Sequence, residues 1–375
     1  MKIVADDKIP FLKGVLEPFG EILYLPGNSI SNDLIRNADA LLIRTRTKCN
    51  EKLLHDTKVK FIATATIGYD HIDTQYCEAN NIRWTSAPGC NSSSVQQYMA
   101  SALLKTAADF SFSLKGKTLG IIGVGNVGSK VAKIAGLLGM NVLLNDPPRA
   151  RREGGEGFTD IDDLLHRADI VTAHVPLNIG GEDETFHLFD ECTFKKMRNG
   201  AWLFNTSRGE VVDSESLIAM LQASALGGAV IDVWEGEPDI DSELLSSAYI
   251  ATPHIAGYST DGKANGTSMV VNSLSSFFNL SLNNWYPLNV PEPSSAEILI
   301  DGTGKTDEAV IRQAVLHTYD IKADNERLRL APGDFEKLRG NYPLRREFSS
   351  YSVELTNASA DVCLTLKTMG FKVIV

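Results

Sequence analysis

The run KGKTLGIIGVGNVGSKVAKIAGLLGMNVLLND, Lys115–Asp146, limits the fold more than any other stretch. Lys117–Ile122 has the length and apolar character of a buried strand, and Gly123, Gly125 and Gly128 follow at once. Val127, Val131, Ile134 and Leu138 then keep helical spacing until Gly139 stops the helix, and Asn141–Asn145 reads as a second strand. Strand, glycine turn, helix and strand in this order form one unit of a parallel sheet.

The pattern extends in both directions. Apolar runs KIVAD, EILYLP, ADALLIRTRT, VKFIATATIGYD and NIRWTSAP precede it, and strand-like runs at 168–175, 201–207, 227–234 and 248–252 follow. Strands alternating with helical segments imply a doubly wound parallel sheet. After Pro88 and Gly89, CNSSSVQQYMASALLKTAADFSF reads as a long connecting helix with serines at its N-terminus and Gln96 or Gln97 closing a capping box. A helix is expected over 260–280, NNWYPLNVPEPSS reads as a linker, and Ala296–Val375 as a separate C-terminal unit.

The 375 residues imply two or three domains, and 43% apolar with 22% charged residues is the composition of a folded chain. A formal charge of −11 disfavours nucleic acid. No apolar run is long enough to span a bilayer and MKIVADDKIP is already strand-like, so a cytoplasmic protein without a membrane partner is expected. The five cysteines are scattered without a CxxC pair, so no metal is expected and the thiols read as reduced.

Glycines between a strand and a helix let the backbone approach a pyrophosphate while the helix N-terminal amides hold it, which makes Asn126 and Val127 expected contacts. Asp146 follows Gly128 by about 20 residues, at the end of the next strand, where a carboxylate accepts both ribose hydroxyls and repels a 2′-phosphate. NAD is the expected cofactor. Arg149, Arg151 and Arg152 are the complication: they could meet a 2′-phosphate, or belong to a solvated loop.

Three ionisable residues follow late strands of this sheet: Arg208, Glu237 and His254. Ligands bind beyond the C-terminal strand ends of such sheets. Singly, each reads as a surface or structural residue. Together they fit dehydrogenation of a hydroxy acid: Arg208 to clamp the carboxylate and polarise the C2 oxygen, His254 to take the hydroxyl proton, and Glu237 to orient and charge-balance the imidazole.

GVGNVG with Asp146, NTSRGEVVD, DVWEGEP and TPHIAGYS together resemble the D-isomer-specific 2-hydroxyacid dehydrogenases, over residues 1 to about 285. The resemblance implies a Rossmann-type doubly wound parallel sheet at 93–256 that holds NAD. It would be inserted in a flavodoxin-like α/β substrate domain formed by 1–92 and 257–284. It carries the catalytic roles onto Arg208, Glu237 and His254 and implies cofactor contacts at Ser207, Asp232 and Gly257. APGCNSSSVQQYM, ATATIGYDHID and PHIAGYSTDGKANGT point to a branch that acts on a phosphorylated hydroxy acid and carries a small α+β C-terminal domain, here 286–375, through which a homodimer forms. A substrate anionic at both ends needs further donors, for which Arg44, Thr45, Thr66 and Tyr258 are the candidates. Arg345 and Arg346 are either a phosphate site or a solvated basic pair. His71 departs from the asparagine of many relatives and is expected to shape its loop, and Arg46 either binds phosphate or is exposed. A dehydrogenase for another acid, such as 3-phosphoglycerate, and a non-catalytic NAD-sensing interaction protein would share these motifs.

Overall fold

In the computed structural model, which describes residues 1–374, the chain clusters into two units. One comprises Met1–Asn91 and Ser259–Pro291, the other Ser92–Tyr258 and residues 292–374.

The first unit is a five-stranded parallel sheet of β1 (Lys2–Asp6), β2 (Glu21–Leu25), β3 (Ala40–Ile43), β4 (Phe61–Thr64) and β5 (Arg83–Thr85), ordered β2-β1-β3-β4-β5. The inner strands are unbroken apolar runs because both faces are covered, as parallel sheets require. This is the flavodoxin-type order. The Thr260–Phe278 helix starts where the Ser259 hydroxyl accepts from Gly262 N at 2.8 Å, and it buries Val270, Val271 and Leu274 against Ile3, Phe61 and Ala63. The segment read as a linker begins pinned to this helix: the Trp285 carbonyl accepts from Ser268 Oγ at 2.6 Å and Asn272 Nδ2 at 3.0 Å.

The second unit contains β6 (Thr118–Ile122), β7 (Asn141–Asn145), β8 (Ile170–Ala173), β9 (Trp202–Asn205), β10 (Gly228–Ile231) and β11 (Ile250–Ala251) in one parallel sheet, ordered β11-β10-β9-β8-β6-β7. The chain reverses its direction of travel at β6, which lies between β7 and β8, so the binding crevice of such a sheet opens at the C-terminal end of β6. The expected Rossmann-type doubly wound sheet is present.

The Ser92–Asp109 helix is almost wholly buried although it carries polar side chains such as Ser94, Gln97, Ser101 and Thr106. It packs against the Asn126–Leu137 helix and against the Asp307–Thr318 helix of the C-terminal segment. That burial corrects the capping expectation for Gln97, whose amide instead donates to Thr318 Oγ1 at 3.0 Å and to the Arg346 carbonyl at 2.9 Å. Ser94 Oγ reaches Glu347 at 2.9 Å in the same contact. The C-terminal segment adds β12 (Glu297–Asp301), β13 (Ser352–Thr356) and β14 (Lys372–Ile374), a parallel three-stranded sheet in sequential order. Its strands alternate, with Ile298, Ile300, Val353 and Leu355 buried and Leu299 on the open face. Among the described residues no helix is long and apolar enough to cross a membrane.

Gln97→Ala removes two buried hydrogen bonds and leaves a void between the long helix and the C-terminal segment. It is expected to destabilise the protein by roughly 2–4 kcal/mol, seen as a lower urea midpoint.

Candidate active site

The glycine loop is shaped by two contacts. Gly123 has φ +86°, and a Cβ there would lie 2.5 Å from the His174 carbonyl oxygen at the end of β8. A Cβ on Gly128 would lie 2.0 Å from the Gly123 carbonyl and 3.3 Å from Ile121 Cγ2, so the helix can sit this close to β6 only with glycine there. Gly125 precedes the Asn126–Leu137 helix and has nothing within 4 Å of a notional Cβ. The loop therefore presents open backbone at a helix N-terminus with Asn126 and Val127 in its first turn, the setting that accommodates a pyrophosphate.

Asp146 ends β7 as anticipated and also braces the loop. Its Oδ2 accepts from Val124 N at 2.8 Å, and its Oδ1 caps the following helix at Arg149 N, 3.0 Å away. Each carboxylate oxygen keeps a second lone pair for a ribose hydroxyl. The neighbouring arginines are engaged with carboxylates. Arg149 pairs with Glu153 at 2.7 Å, Arg151 with Glu182 at 3.2 Å and with Asp183, and Arg152 lies 3.9 Å from Glu153. Their charge is balanced locally.

Beyond β10 and β11, His254 and Glu237 meet. His254 has φ +54°, uncommon for a non-glycine residue, and its ring is about one third exposed. Asp232, 1% exposed at the end of β10, holds this conformation. Its backbone carbonyl accepts from His254 N at 2.7 Å, Oδ1 from Ile255 N at 2.8 Å and Oδ2 from Ala256 N at 2.9 Å. Thr252 Oγ1 donates to Oδ1 at 2.6 Å, which spends its one proton, so the buried Tyr98 hydroxyl must donate to Thr252 at 2.8 Å. Burial raises the pKa of Asp232 despite the opposing effects of His254 and these donors.

His254 Nδ1 lies 2.8 Å from Glu237 Oε2 and 3.1 Å from Oε1, and Glu237 also accepts from Trp234 N at 3.0 Å. Burial pushes the Glu237 pKa up, but the His254 hydrogen bond and charge, the Trp234 amide and the Arg339 charge outweigh it and hold the carboxyl below its ordinary value. An ionised Glu237 accepts a hydrogen bond from Nδ1–H, which leaves Nε2 as the nitrogen able to accept a proton.

Arg208 follows β9, where Asn205 Nδ2 donates to its carbonyl at 2.9 Å, and its Nη1 donates to the Ser207 carbonyl at 2.8 Å. Gly209 beside it would place a Cβ 2.0 Å from the Trp234 carbonyl carbon, so the loops after β9 and β10 are in direct contact. Ser207 is buried with its hydroxyl on Asn205 Oδ1 at 2.8 Å. Gly257 lies inside the turn closed by Tyr258 N on the Ile255 carbonyl at 2.8 Å, and the Tyr258 ring stands edge-on to Tyr342, with centroids 5.9 Å apart.

The remaining candidates lie in the first unit. Arg44 and Thr45 follow β3, with Arg44 Nη1 3.5 Å from the Lys8 carbonyl, and Arg46 is exposed. Thr66 donates to the Gly68 carbonyl at 3.0 Å, so Thr64 must donate to Thr66 at 2.7 Å and His71 Nε2 must donate to Thr64 at 3.1 Å. His71 thus ties its loop to β4, and burial lowers its pKa.

Several participants carry no sequence signature. The solvated reading of Arg345 and Arg346 is corrected: both are buried, and Arg345 Nη2 donates to the Ala256 carbonyl at 2.6 Å while its guanidinium sits 4.5 Å above the Tyr319 ring. Arg339 approaches Glu237 to 3.9 Å. His174, which backs the glycine loop, lies between the hydroxyls of Thr172 and Thr206, and desolvation pushes its pKa down to about 3. It followed a recognisable strand, the one signal that could have marked it.

A glycine-loop crevice with a carboxylate-paired histidine in a doubly wound sheet defines an NAD-dependent oxidoreductase, and the comparisons with known proteins agree. Residues 91–256 match the family model described as D-isomer specific 2-hydroxyacid dehydrogenase, NAD binding domain, and 290–367 match a domain of unknown function. The chain is 48% identical to the erythronate-4-phosphate dehydrogenase of Bacteroides fragilis, over 95% of its own length and 100% of that protein's. It is 40% identical to the Salmonella arizonae enzyme of the same name over 100% and 99%. Among solved structures, D-lactate dehydrogenase from Aquifex aeolicus in complex with NAD and lactic acid matches with TM-score 0.60 and 25% identity, over 74% of this chain and 96% of that one. The chain belongs to the D-isomer-specific 2-hydroxyacid dehydrogenase family, and the relatives it resembles from end to end are erythronate-4-phosphate dehydrogenases.

Gly128→Ala drives a Cβ into the Gly123 carbonyl, a backbone atom that cannot turn aside. The loop must open, and NADH affinity, followed by fluorescence titration, is expected to fall at least ~10-fold.

Proposed function

We propose that this protein oxidises 4-phospho-D-erythronate at C2 to 2-oxo-3-hydroxy-4-phosphobutanoate, with NAD as acceptor, as a step of pyridoxal 5′-phosphate biosynthesis. The observation that carries the chemistry is the 2.8 Å contact between His254 Nδ1 and Glu237 beyond the strand ends of the sheet. The substrate follows from the likeness to erythronate-4-phosphate dehydrogenases along the whole chain.

Bound NAD, held by the Gly123–Gly128 loop and Asp146, would supply the acceptor for the C2 hydrogen and its electron pair. His254 Nε2 takes the C2 hydroxyl proton as the carbonyl forms, and Glu237 stabilises the imidazolium that results. Arg208 offers the forked donor set that binds a carboxylate and polarises the C2 oxygen. Ser207, Asp232 and Gly257 serve the cofactor in this reading, Asp232 chiefly by fixing the His254 loop. Arg44, Thr45, Thr66 and Tyr258 take the substrate's remaining polar groups. We also propose that the molecule is a homodimer through the C-terminal segment, which exposes Leu299, Leu330, Leu364 and Ile374. Leu299→Glu would then yield monomers in light scattering, whereas a monomeric wild type would end this reading.

With NAD and 4-phospho-D-erythronate, NADH absorbance is expected to rise, and equal or faster turnover of 3-phosphoglycerate would reassign the substrate. His254→Ala should reduce kcat by about 10²–10⁴ with NADH binding nearly intact. The pH dependence carries a sign. Glu237 has a lowered pKa and stays ionised across the histidine range, so oxidation should rise with pH in one limb as the imidazole loses its proton. Glu237→Gln removes the charge that favours imidazolium, so this limb should move to lower pH while kcat falls.

A further inference from the structure

We propose that Arg339 is a positioning residue for proton transfer: from the C-terminal segment it sets the electrostatic field at the Glu237–His254 pair and so governs the pH range over which His254 accepts a proton. This rests on the acid–base reading of His254 given above and extends it to the part of the chain whose family-model match is a domain of unknown function.

Arg339 lies on the short Phe335–Gly340 helix, and its Nη1 is 3.9 Å from Glu237 Oε2 and 3.2 Å from Glu336 Oε1. The guanidinium sits between two rings, 5.7 Å from the Tyr258 centroid and 5.9 Å from that of Phe335. Its side chain is only 21% exposed, and Nε is buried without a hydrogen-bond partner. A desolvated guanidinium with an unsatisfied N–H is destabilising in itself, and a purely structural role would be met by an apolar side chain of similar size. What an apolar side chain lacks is a fixed positive charge beside the carboxylate that orients the imidazole.

The sign of the effect follows from Coulomb's law. Glu237 favours the imidazolium by attraction, and Arg339 opposes it by repulsion and by partly neutralising Glu237. The other groups around the pair are Asp232 beneath the His254 loop, Tyr258 against Arg339, Glu336 on the far side of the guanidinium, and Arg345 behind Ala256, while Arg208 follows the neighbouring strand. Arg339 brings a guanidinium to 3.9 Å from the Glu237 carboxylate. Its charge keeps His254 a weaker base than a lone Glu–His pair would, and so extends the deprotonated, hydroxyl-accepting form to lower pH.

The test is the pH profile of kcat/KM for acid oxidation in the full-length protein. Arg339→Gln is expected to move the acidic limb upward by about 0.5–1 pH unit, with NADH binding retained, and Arg339→Lys to return it to the wild-type position. Glu336→Gln, which removes the carboxylate that offsets Arg339, should shift it the other way. An unmoved limb in Arg339→Gln, or equal shifts in the Gln and Lys variants, would overturn the proposal. If Arg339→Gln does not fold, Glu336→Gln decides alone, and an unmoved or upward limb refutes the idea. A wild-type profile with no acidic limb would instead defeat the acid–base reading of His254 and this proposal with it.

Discussion

One buried carboxylate organises the loop that carries His254. Asp232 accepts from Ile255 N, Ala256 N and Thr252 Oγ1, and its own carbonyl accepts His254 N, so a single residue at the end of β10 fixes the loop that carries the histidine. Hydrogen bonds to a charged acceptor are worth about 1.5–3 kcal/mol each, enough together to hold a non-glycine residue at positive φ. The geometry of the acid–base pair is thus inherited from the sheet. β10 and β11 are paired neighbours, and the His254 ring is placed relative to them rather than to a free loop.

The same logic runs outward. Tyr98, inside the long buried helix, donates into the Thr252–Asp232 chain. The same helix is bound by Gln97 and Ser94 to the C-terminal segment, which returns Arg345 to the Ala256 carbonyl and Arg339 to Glu237. The His254 loop is therefore held from the sheet on one side and from the C-terminal segment on the other. A polar network of this kind is favourable only when nearly every member is satisfied, and its buried exceptions, Gln97 Oε1, Arg339 Nε and two donors of Arg345, lie where the C-terminal segment meets the long helix and the site.

Much of this was legible beforehand. The strand alternation, the glycine loop and the places of Arg208, Glu237 and His254 follow from local periodicity and from the rule that loops after parallel strands carry function. What was misread shares one cause. Gln97 reads as a cap and Arg345 with Arg346 as a solvated pair because, taken locally, a glutamine near a helix start and two adjacent arginines behave so. Their partners, Thr318, the Arg346 carbonyl and the Ala256 carbonyl, lie far away along the chain.

By itself the sequence determined the two large parallel sheets, the glycine loop and the ionisable residues that follow the strands. These depend on side-chain period, glycine sterics and ionisable groups at strand ends, all encoded within a few consecutive residues. Only the tertiary structure decided which nitrogen of His254 faces Glu237, what holds its loop, and that the C-terminal segment reaches this pair. Those are contacts between distant segments, and a hydrogen bond or a charge is felt over a few ångströms of space, whatever the separation along the chain.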